Sequence, residues 1–314
     1  MAKHYDVIVV GAGPGGMTAA LYASRANLSV LMLDRGIYGG QMNNTAEIEN
    51  YPGFKSILGP DLAEKMYQSS TQFDAKYAYG TVTNVTVDDE GLKTITTDSD
   101  VYETQALVIA TGSEYRKLGI PGEDKYSGRG VSYCAVCDGA FFKGKPVIVV
   151  GGGDSAVEEG GYLSQMTSSV NIIHRRDQLR AQKILQDRAF ANDKIDFTWN
   201  TNVIEILGDG QKVTGVLERN NKTGREEKKA INGVFIYVGN QPMTEPFRDL
   251  GVTDDKGWFV TNEKMQTKVP GILAVGDVRQ KDLRQVANSV GDGAIAGQEA
   301  FNYLQTLQDK VKSD

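Results

Sequence analysis

The chain has two cysteines, and both stand in one short stretch, Cys134-Ala135-Val136-Cys137-Asp138-Gly139. With two residues between them, a tight turn can close the pair as a disulfide or open it as a dithiol. A carboxylate, Asp138, directly follows the second sulfur. Exchange at sulfur needs a thiolate and a place for its proton, so the stretch holds the parts of a redox centre. The rival use of this spacing is half of a zinc site. Structural zinc takes about four protein ligands. The remaining candidates, His4 and His174, are both distant from the cysteines in sequence, and no metal is expected.

A redox pair needs an electron source, and the flanking chain is patterned to hold dinucleotides. An apolar strand from Tyr5 to Val10 runs into Gly11-Ala12-Gly13-Pro14-Gly15-Gly16. A helical pattern follows, then a second strand from Ser29 to Leu33 that ends on Asp34. In that context the spacing of Gly11, Gly13 and Gly16 lets the backbone approach a pyrophosphate at a helix N-terminus, and Asp34 can accept from ribose hydroxyls. The pattern restarts at Pro146 to Val150, followed by Gly151-Gly152-Gly153-Asp154-Ser155-Ala156 and a helix through Val157-Glu158-Glu159. Its second strand, Val170 to Ile173, ends on no acid. His174, Arg175 and Arg176 stand there, with Arg180 just beyond. Cations at that point fit a 2′-phosphate and favour NADPH over NADH.

Two dinucleotide turns in one chain suggest two dinucleotides. NADPH delivers a hydride, which a disulfide does not take up directly, and a flavin bridges the two chemistries. The first turn is therefore expected to hold FAD and the second NADPH.

The elements that must position these groups follow in order. Residues 36–60 form a Gly-, Asn- and Pro-rich loop, 61–73 a helix and 79–102 a β-meander. A buried strand, Ala106 to Ile109, leads to Ala110-Thr111-Gly112. A second meander spans 197–228, and Gly233 to Gly239 is a further strand. The strand from Gly271 to Asp277 is expected to rejoin the first domain, and a helical pattern covers 284–304. The fold class is α/β: two Rossmann-like three-layer dinucleotide-binding domains, each with a β-meander, the second inserted into the first. The FAD-binding domain is placed at 1–117 and 245–314, and the NADPH-binding domain carrying the cysteines at 118–244.

Together these motifs resemble the bacterial low-molecular-weight thioredoxin reductases, flavoprotein disulfide reductases, over nearly the whole length. The resemblance rests on Gly11–Gly16, Ala110–Gly112, Cys134–Asp138, Gly151–Ala156, His174–Arg176 and Gly276-Asp277. It implies that Cys137 contacts the flavin and that Cys134 attacks the disulfide of thioredoxin. It also implies that Asp138 moves protons during exchange. The shortage of histidines supports that role independently, and helix capping by Asp138 is compatible with it. FAD contacts implied are Gly13, Asp34, Gln41, Asn50, Thr111, Asp277, Arg284, Gln285 and Ala287. NADPH contacts implied are Gly153, Ser155, Ala156, His174, Arg175, Arg176 and Arg180. A homodimer is implied as well. One departure from the family pattern is Ala140, which stands between Asp138-Gly139 and Phe141-Phe142. Those aromatics are read either as partner contacts or as core, and Arg129 as a candidate docking residue.

Because the inserted segment carries both the cysteines and the NADPH turn, it is expected to rotate on linkers near Leu118–Pro121 and Gly239–Thr244. Composition excludes other classes. A net charge of −6 argues against nucleic acid as a partner. No apolar run reaches the ~20 residues of a membrane span, and the start has no signal-peptide pattern, so a cytoplasmic protein is expected. The alternative activity is reduction of another disulfide protein by a flavoenzyme of the same plan. The alternative class is an inert nucleotide-binding module, which would be colourless when purified.

Overall fold

A computed structural model describes residues 2–45 and 47–313. The chain divides into two compact units. One comprises the residues up to Glu114 together with those from Gln241 onward, and the other is Tyr115–Asn240. The crossings fall a few residues earlier than the expected 118–244.

In the first unit, Lys3–Val10 pairs in parallel with Val30–Asp34 on one side and Val101–Ile109 on the other. Val7 and Val9 enter one hydrophobic cluster and Ile8 and Val10 another. Alternate residues point to opposite faces of a strand, so an uninterrupted apolar run marks a sheet covered on both sides. Helix Pro14–Arg25 packs against the C-terminal helix Val286–Ser313. The approach is close because the contact is made of small residues. A Cβ on Gly293 would lie 2.2 Å from the Gly15 carbonyl oxygen, and one on Gly297 would lie 2.6 Å from that of Ala19.

The meander and the buried strand expected separately are continuous. Val101–Ile109 is a single strand. Its first part pairs antiparallel with Lys93–Thr97, and Leu107–Ile109 pairs in parallel with Ile272–Ala274. Polar residues in the first part face partly outward, and burial becomes continuous only from Ala106. The burial pattern changes while the backbone does not. The strand before Gly276-Asp277 thus lies in the sheet of the first unit. The 61–73 helix runs Gly59–Thr71, and the 36–60 loop contains a turn at Gly40–Asn44 and a ribbon of Glu47–Ile48 with Ile57–Leu58.

The second unit has a five-stranded parallel sheet. Its order is Val131–Ser132, Gly233–Tyr237, Pro146–Gly151, Ser169–His174, Ile195–Trp199. A separate antiparallel sheet contains Thr201–Gly208, Val213–Asn220 and Glu226–Ala230. The expected meander from 197 therefore begins later. Phe197 belongs to the parallel sheet, and the chain reverses at Asn200, whose φ is 52°. Asparagine tolerates this left-handed conformation better than most residues. Among the described residues no helix is long and apolar enough to cross a membrane.

Candidate active site

Cys134 and Cys137 are joined as a disulfide, with Cα atoms 5.3 Å apart. The turn Ala135–Asp138 begins directly after Cys134, whose sulfur accepts the Cys137 N–H at 3.1 Å. Ser132 anchors the approach. Its Oγ accepts the Cys134 N–H at 3.1 Å and lies 3.2 Å from the Cys134 carbonyl oxygen. Both sulfurs and Asp138 are half-buried, so the pair combines a dry side with an accessible one. Burial raises the Asp138 carboxyl above its ordinary range, and a hydrogen bond from Ser132 partly opposes the rise. A carboxyl moved upward is better matched to exchanging a proton with a thiol.

Two residues without a signal in the sequence hold this turn from beneath. Tyr237, at the end of the Gly233–Tyr237 strand, accepts the Ala135 N–H on its hydroxyl at 2.7 Å. That hydroxyl donates to Glu159 Oε2 at 3.2 Å. Burial raises the Glu159 carboxyl above its ordinary range, and the Tyr237 hydroxyl and the nearby backbone N–H groups of Ala135 and Val136 oppose the rise. Glu159 lies on helix Asp154–Ser164, the one opened by the second glycine turn. In sequence both are ordinary members of a strand and a helix, and only tertiary packing brings them to the cysteines.

Phe141 and Phe142 separate in role. Phe142 is buried, edge-on to Phe235 with ring centroids 5.2 Å apart, and Phe141 is exposed. Arg129 is exposed.

At the second glycine turn, Gly153 begins the helix without a side-chain cap, and open space lies where its Cβ would stand. Its uncapped N–H groups and bare surface suit a phosphate. Gly151 is required by packing, since a Cβ there would lie 2.6 Å from both the Tyr237 carbonyl oxygen and the Ala156 side chain. Ser155 is exposed and Ala156 buried. Arg175, Arg176 and Arg180 are exposed at the end of Ser169–His174, and the Arg180 N–H donates to the Gly152 carbonyl at 2.7 Å. These residues fit a phosphorylated ribose. His174 stands apart from the three arginines. It is buried behind Gly152, its Nε2 has no partner, and burial lowers its pKa, aided by the nearby arginine charges.

At the first glycine turn, Gly11 has φ 105°, and a Cβ on Gly16 would lie 1.9 Å from its carbonyl oxygen. Gly13 is open. Asp34 accepts the Ala12 N–H at 2.6 Å on one oxygen and the Gly36 N–H at 2.9 Å on the other. It therefore shapes the turn and retains a lone pair on each oxygen. The Gly39 N–H donates to the Ala12 carbonyl at 2.7 Å, bringing the Gly40–Asn44 segment onto the turn. Gln41, exposed, lies with Nε2 3.5 Å from the Ser113 carbonyl oxygen. Thr111 donates to the Met243 carbonyl at 2.7 Å, and Asn50 to Gln285 at 3.0 Å. The Arg284 guanidinium sits 4.0 Å over the Trp258 ring. Ala287 is exposed in the first turn of its helix. Asp277 Oδ1 is buried with no partner, and burial raises that carboxyl against the pull of Lys281 and Arg284. A buried acceptor without a donor fits a hydroxyl-bearing ligand. Asp292, which carried no signal in the sequence, organises this corner. It accepts the Gly276 N–H at 2.9 Å and pairs with Lys281 and Arg279, each at 2.8 Å.

Known proteins resemble this chain over nearly its whole length. The sequence profile described as "Pyridine nucleotide-disulphide oxidoreductase" matches residues 5–293. A thioredoxin reductase of Listeria monocytogenes is 58% identical over 312 residues, 99% of this chain and 98% of the relative. One from Bacillus subtilis is 55% identical over 311 residues, again 99% and 98%. The crystal structure of thioredoxin reductase from Streptococcus pyogenes MGAS5005 aligns with a TM-score of 0.93 at 55% identity, covering 98% of this chain and 100% of that one. With its family profile, its relatives and its closed cysteine pair in agreement, the chain belongs to the pyridine nucleotide-disulphide oxidoreductase family, among the thioredoxin reductases.

Proposed function

We propose that the protein is an NADPH-dependent thioredoxin-disulfide reductase with FAD as its resident cofactor. The reading is carried by the half-exposed Cys134–Cys137 disulfide on the same unit as the second glycine turn. When bound, FAD and NADPH supply the hydride acceptor and the hydride donor. Gly11, Gly13, Gly16, Asp34, Thr111, Asp277, Arg284, Gln285 and Ala287, with Gln41 and Asn50 from the loop, hold the flavin nucleotide. Gly151, Gly153, Ser155 and Ala156 receive the pyrophosphate of NADPH, and Arg175, Arg176 and Arg180 its 2′-phosphate. His174 supports the turn from behind.

Cys137 would be the sulfur that meets the flavin when it is bound. Breaking the disulfide takes two electrons and two protons and leaves a dithiol. Cys134 then attacks the thioredoxin disulfide, and Cys137 resolves the mixed disulfide and restores the internal bond. Reduced thioredoxin leaves with both electrons and both protons. Asp138 takes and returns the proton at these sulfurs. Phe141 and Arg129, both exposed, are the residues offered to the partner. The inserted unit rotates on its two chain crossings so that the sulfur pair serves flavin and partner in turn. The Leu118–Pro121 segment is a poor hinge, because the Leu118 and Gly119 N–H groups donate to the buried Glu123 carboxylate at 2.9 and 2.7 Å. A cytoplasmic homodimer completes the proposal.

The test is NADPH oxidation by the purified yellow holoenzyme with and without oxidised thioredoxin. Two thioredoxin thiols should appear per NADPH consumed. Oxidation that thioredoxin does not accelerate, but another disulfide protein does, would assign the same chemistry to a different substrate. A colourless protein would sink the flavoenzyme reading.

A further inference from the structure

The Cys134–Cys137 turn rests on a half-buried acid that none of its own chemistry requires. Glu159 reaches it from the Asp154–Ser164 helix, and Tyr237 reaches it from the sheet. The groups facing the Glu159 carboxylate from the turn and the sheet are donors: the Tyr237 hydroxyl at 3.2 Å and, nearby, the backbone N–H groups of Ala135 and Val136. Donors on this side favour the ionised carboxylate, which accepts only, and burial acts against it. The Ala135 N–H is shared with the Tyr237 oxygen at 2.7 Å. The other ionisable groups near this set are Asp138 on the turn, Glu158 on the same helix and Tyr115.

These contacts bear on sulfur. The backbone N–H groups that follow a cysteine are the donors that stabilise its thiolate and lower its pKa. In this turn the Cys137 N–H is directed at Cys134 Sγ, at 3.1 Å. That of Ala135 is held by the Tyr237 hydroxyl at 2.7 Å, and that of Val136 lies near the Glu159 carboxylate. A negative charge close to a thiol also disfavours its ionised form. Both effects act in one direction. They raise the cost of a Cys134 thiolate, leave the dithiol less stabilised and make the pair a stronger reductant.

We infer that Glu159, seconded by Tyr237, is a positioning residue that sets the reducing strength of the Cys134–Cys137 pair by holding the Ala135 and Val136 N–H groups away from the Cys134 sulfur. Reduction breaks the Sγ–Sγ bond, adds two electrons from a dithiol or hydride donor and adds two protons to give two thiols. Glu159 enters none of these bonds. It alters the balance between the disulfide and the dithiol. The inference rests on the reading of this pair as the redox centre.

The test equilibrates the purified full-length protein in glutathione buffers of graded ratio and counts free thiols by alkylation. Glu159→Gln should shift the equilibrium toward the dithiol by about tenfold, a potential about 30 mV higher. Alkylation rate against pH should show a lower Cys134 thiol pKa. Tyr237→Phe should move both readouts the same way by less, and Glu158→Gln, exposed on the same helix, should leave both unchanged. A Glu159→Gln protein with a lowered melting temperature but the wild-type potential overturns the inference and makes the residue merely structural. If that variant does not fold, Tyr237→Phe decides, and an unshifted potential in it overturns the inference. A wild-type pair that no dithiol reduces would instead bring down the redox reading itself.

Discussion

Asp292 Oδ2 accepts the Gly276 N–H at 2.9 Å, so a carboxylate on the C-terminal helix fixes the backbone next to Asp277, whose buried Oδ1 has no partner. The same group neutralises Arg279 and Lys281, all three side chains being nearly buried. Asp292→Ala would leave two cations without their partner. Removing one member of a buried charge set costs about 3–5 kcal/mol. Urea unfolding should show that loss, together with weaker retention of flavin on dialysis. A midpoint equal to wild type would show that water replaces the carboxylate at no cost.

Cys134→Ser should separate the two halves of the reaction. Bleaching of the flavin absorbance by NADPH should survive, and thioredoxin reduction should vanish. Persistent thioredoxin reduction would reverse the roles assigned to Cys134 and Cys137.

Replacing Arg175 and Arg176 together by Ala should reduce the preference for NADPH over NADH. Loss of charge-assisted contacts to a phosphate, each about 1.5–3 kcal/mol, predicts a fall of tenfold or more in the ratio of kcat/KM values. Undiminished discrimination against NADH would place the 2′-phosphate elsewhere.

Asp138→Asn should exchange activity for stability. Burial raises the native carboxyl above its unfolded value. Between those two values the native state binds more protons, so stability falls as pH rises through the folded pKa. The variant should therefore melt higher than wild type at pH 7, with the difference vanishing below about pH 3.8, the ordinary Asp value. Turnover with thioredoxin should drop by about 10²-fold or more, the usual worth of a general acid–base. Wild-type turnover in the variant would remove Asp138 from the proton path.

Lys93 gives an opposite pH signature. It is fully buried, donates to the Gln105 carbonyl at 2.7 Å and lies over the Tyr303 ring. Desolvation lowers its pKa from 10.5 to about 8. The unfolded chain then binds more protons between those values, and stability rises with pH across that window. Lys93→Met should stabilise the protein by about 1–3 kcal/mol at pH 7. The gain should disappear above about pH 10.5, the ordinary lysine value. Melting curves at pH 7 and pH 10.5 would check both claims.

Local chemistry was the legible part of this protein. Gly11, Gly16 and Gly151 carry their reasons in their spacing, because backbone approaches of about 2–3 Å admit no other residue there. The cysteine pair and Asp138 are neighbours in sequence and therefore in space. What the sequence could not show depends on contacts made across the fold. Glu159 and Tyr237 meet Ala135 from elements that begin well after it, and Asp292 reaches Gly276 from another helix. Phe141 and Phe142 are identical in type and adjacent, and only the position of Phe235 separates the exposed ring from the buried one. His174 follows the same rule: its place beside Arg175 suggested a ligand contact, while strand alternation turns it inward against Gly152.

The Ile272–Ala274 strand completes a sheet whose other members all lie before residue 110. On the ribosome, the N-terminal unit must wait for this strand and for the helix that covers it. The Tyr115–Asn240 unit is continuous and has its whole sequence available first. The usual N-to-C order of domain folding is thus reversed. A released chain truncated near residue 250 should display a finished, protease-resistant middle and an unfinished beginning.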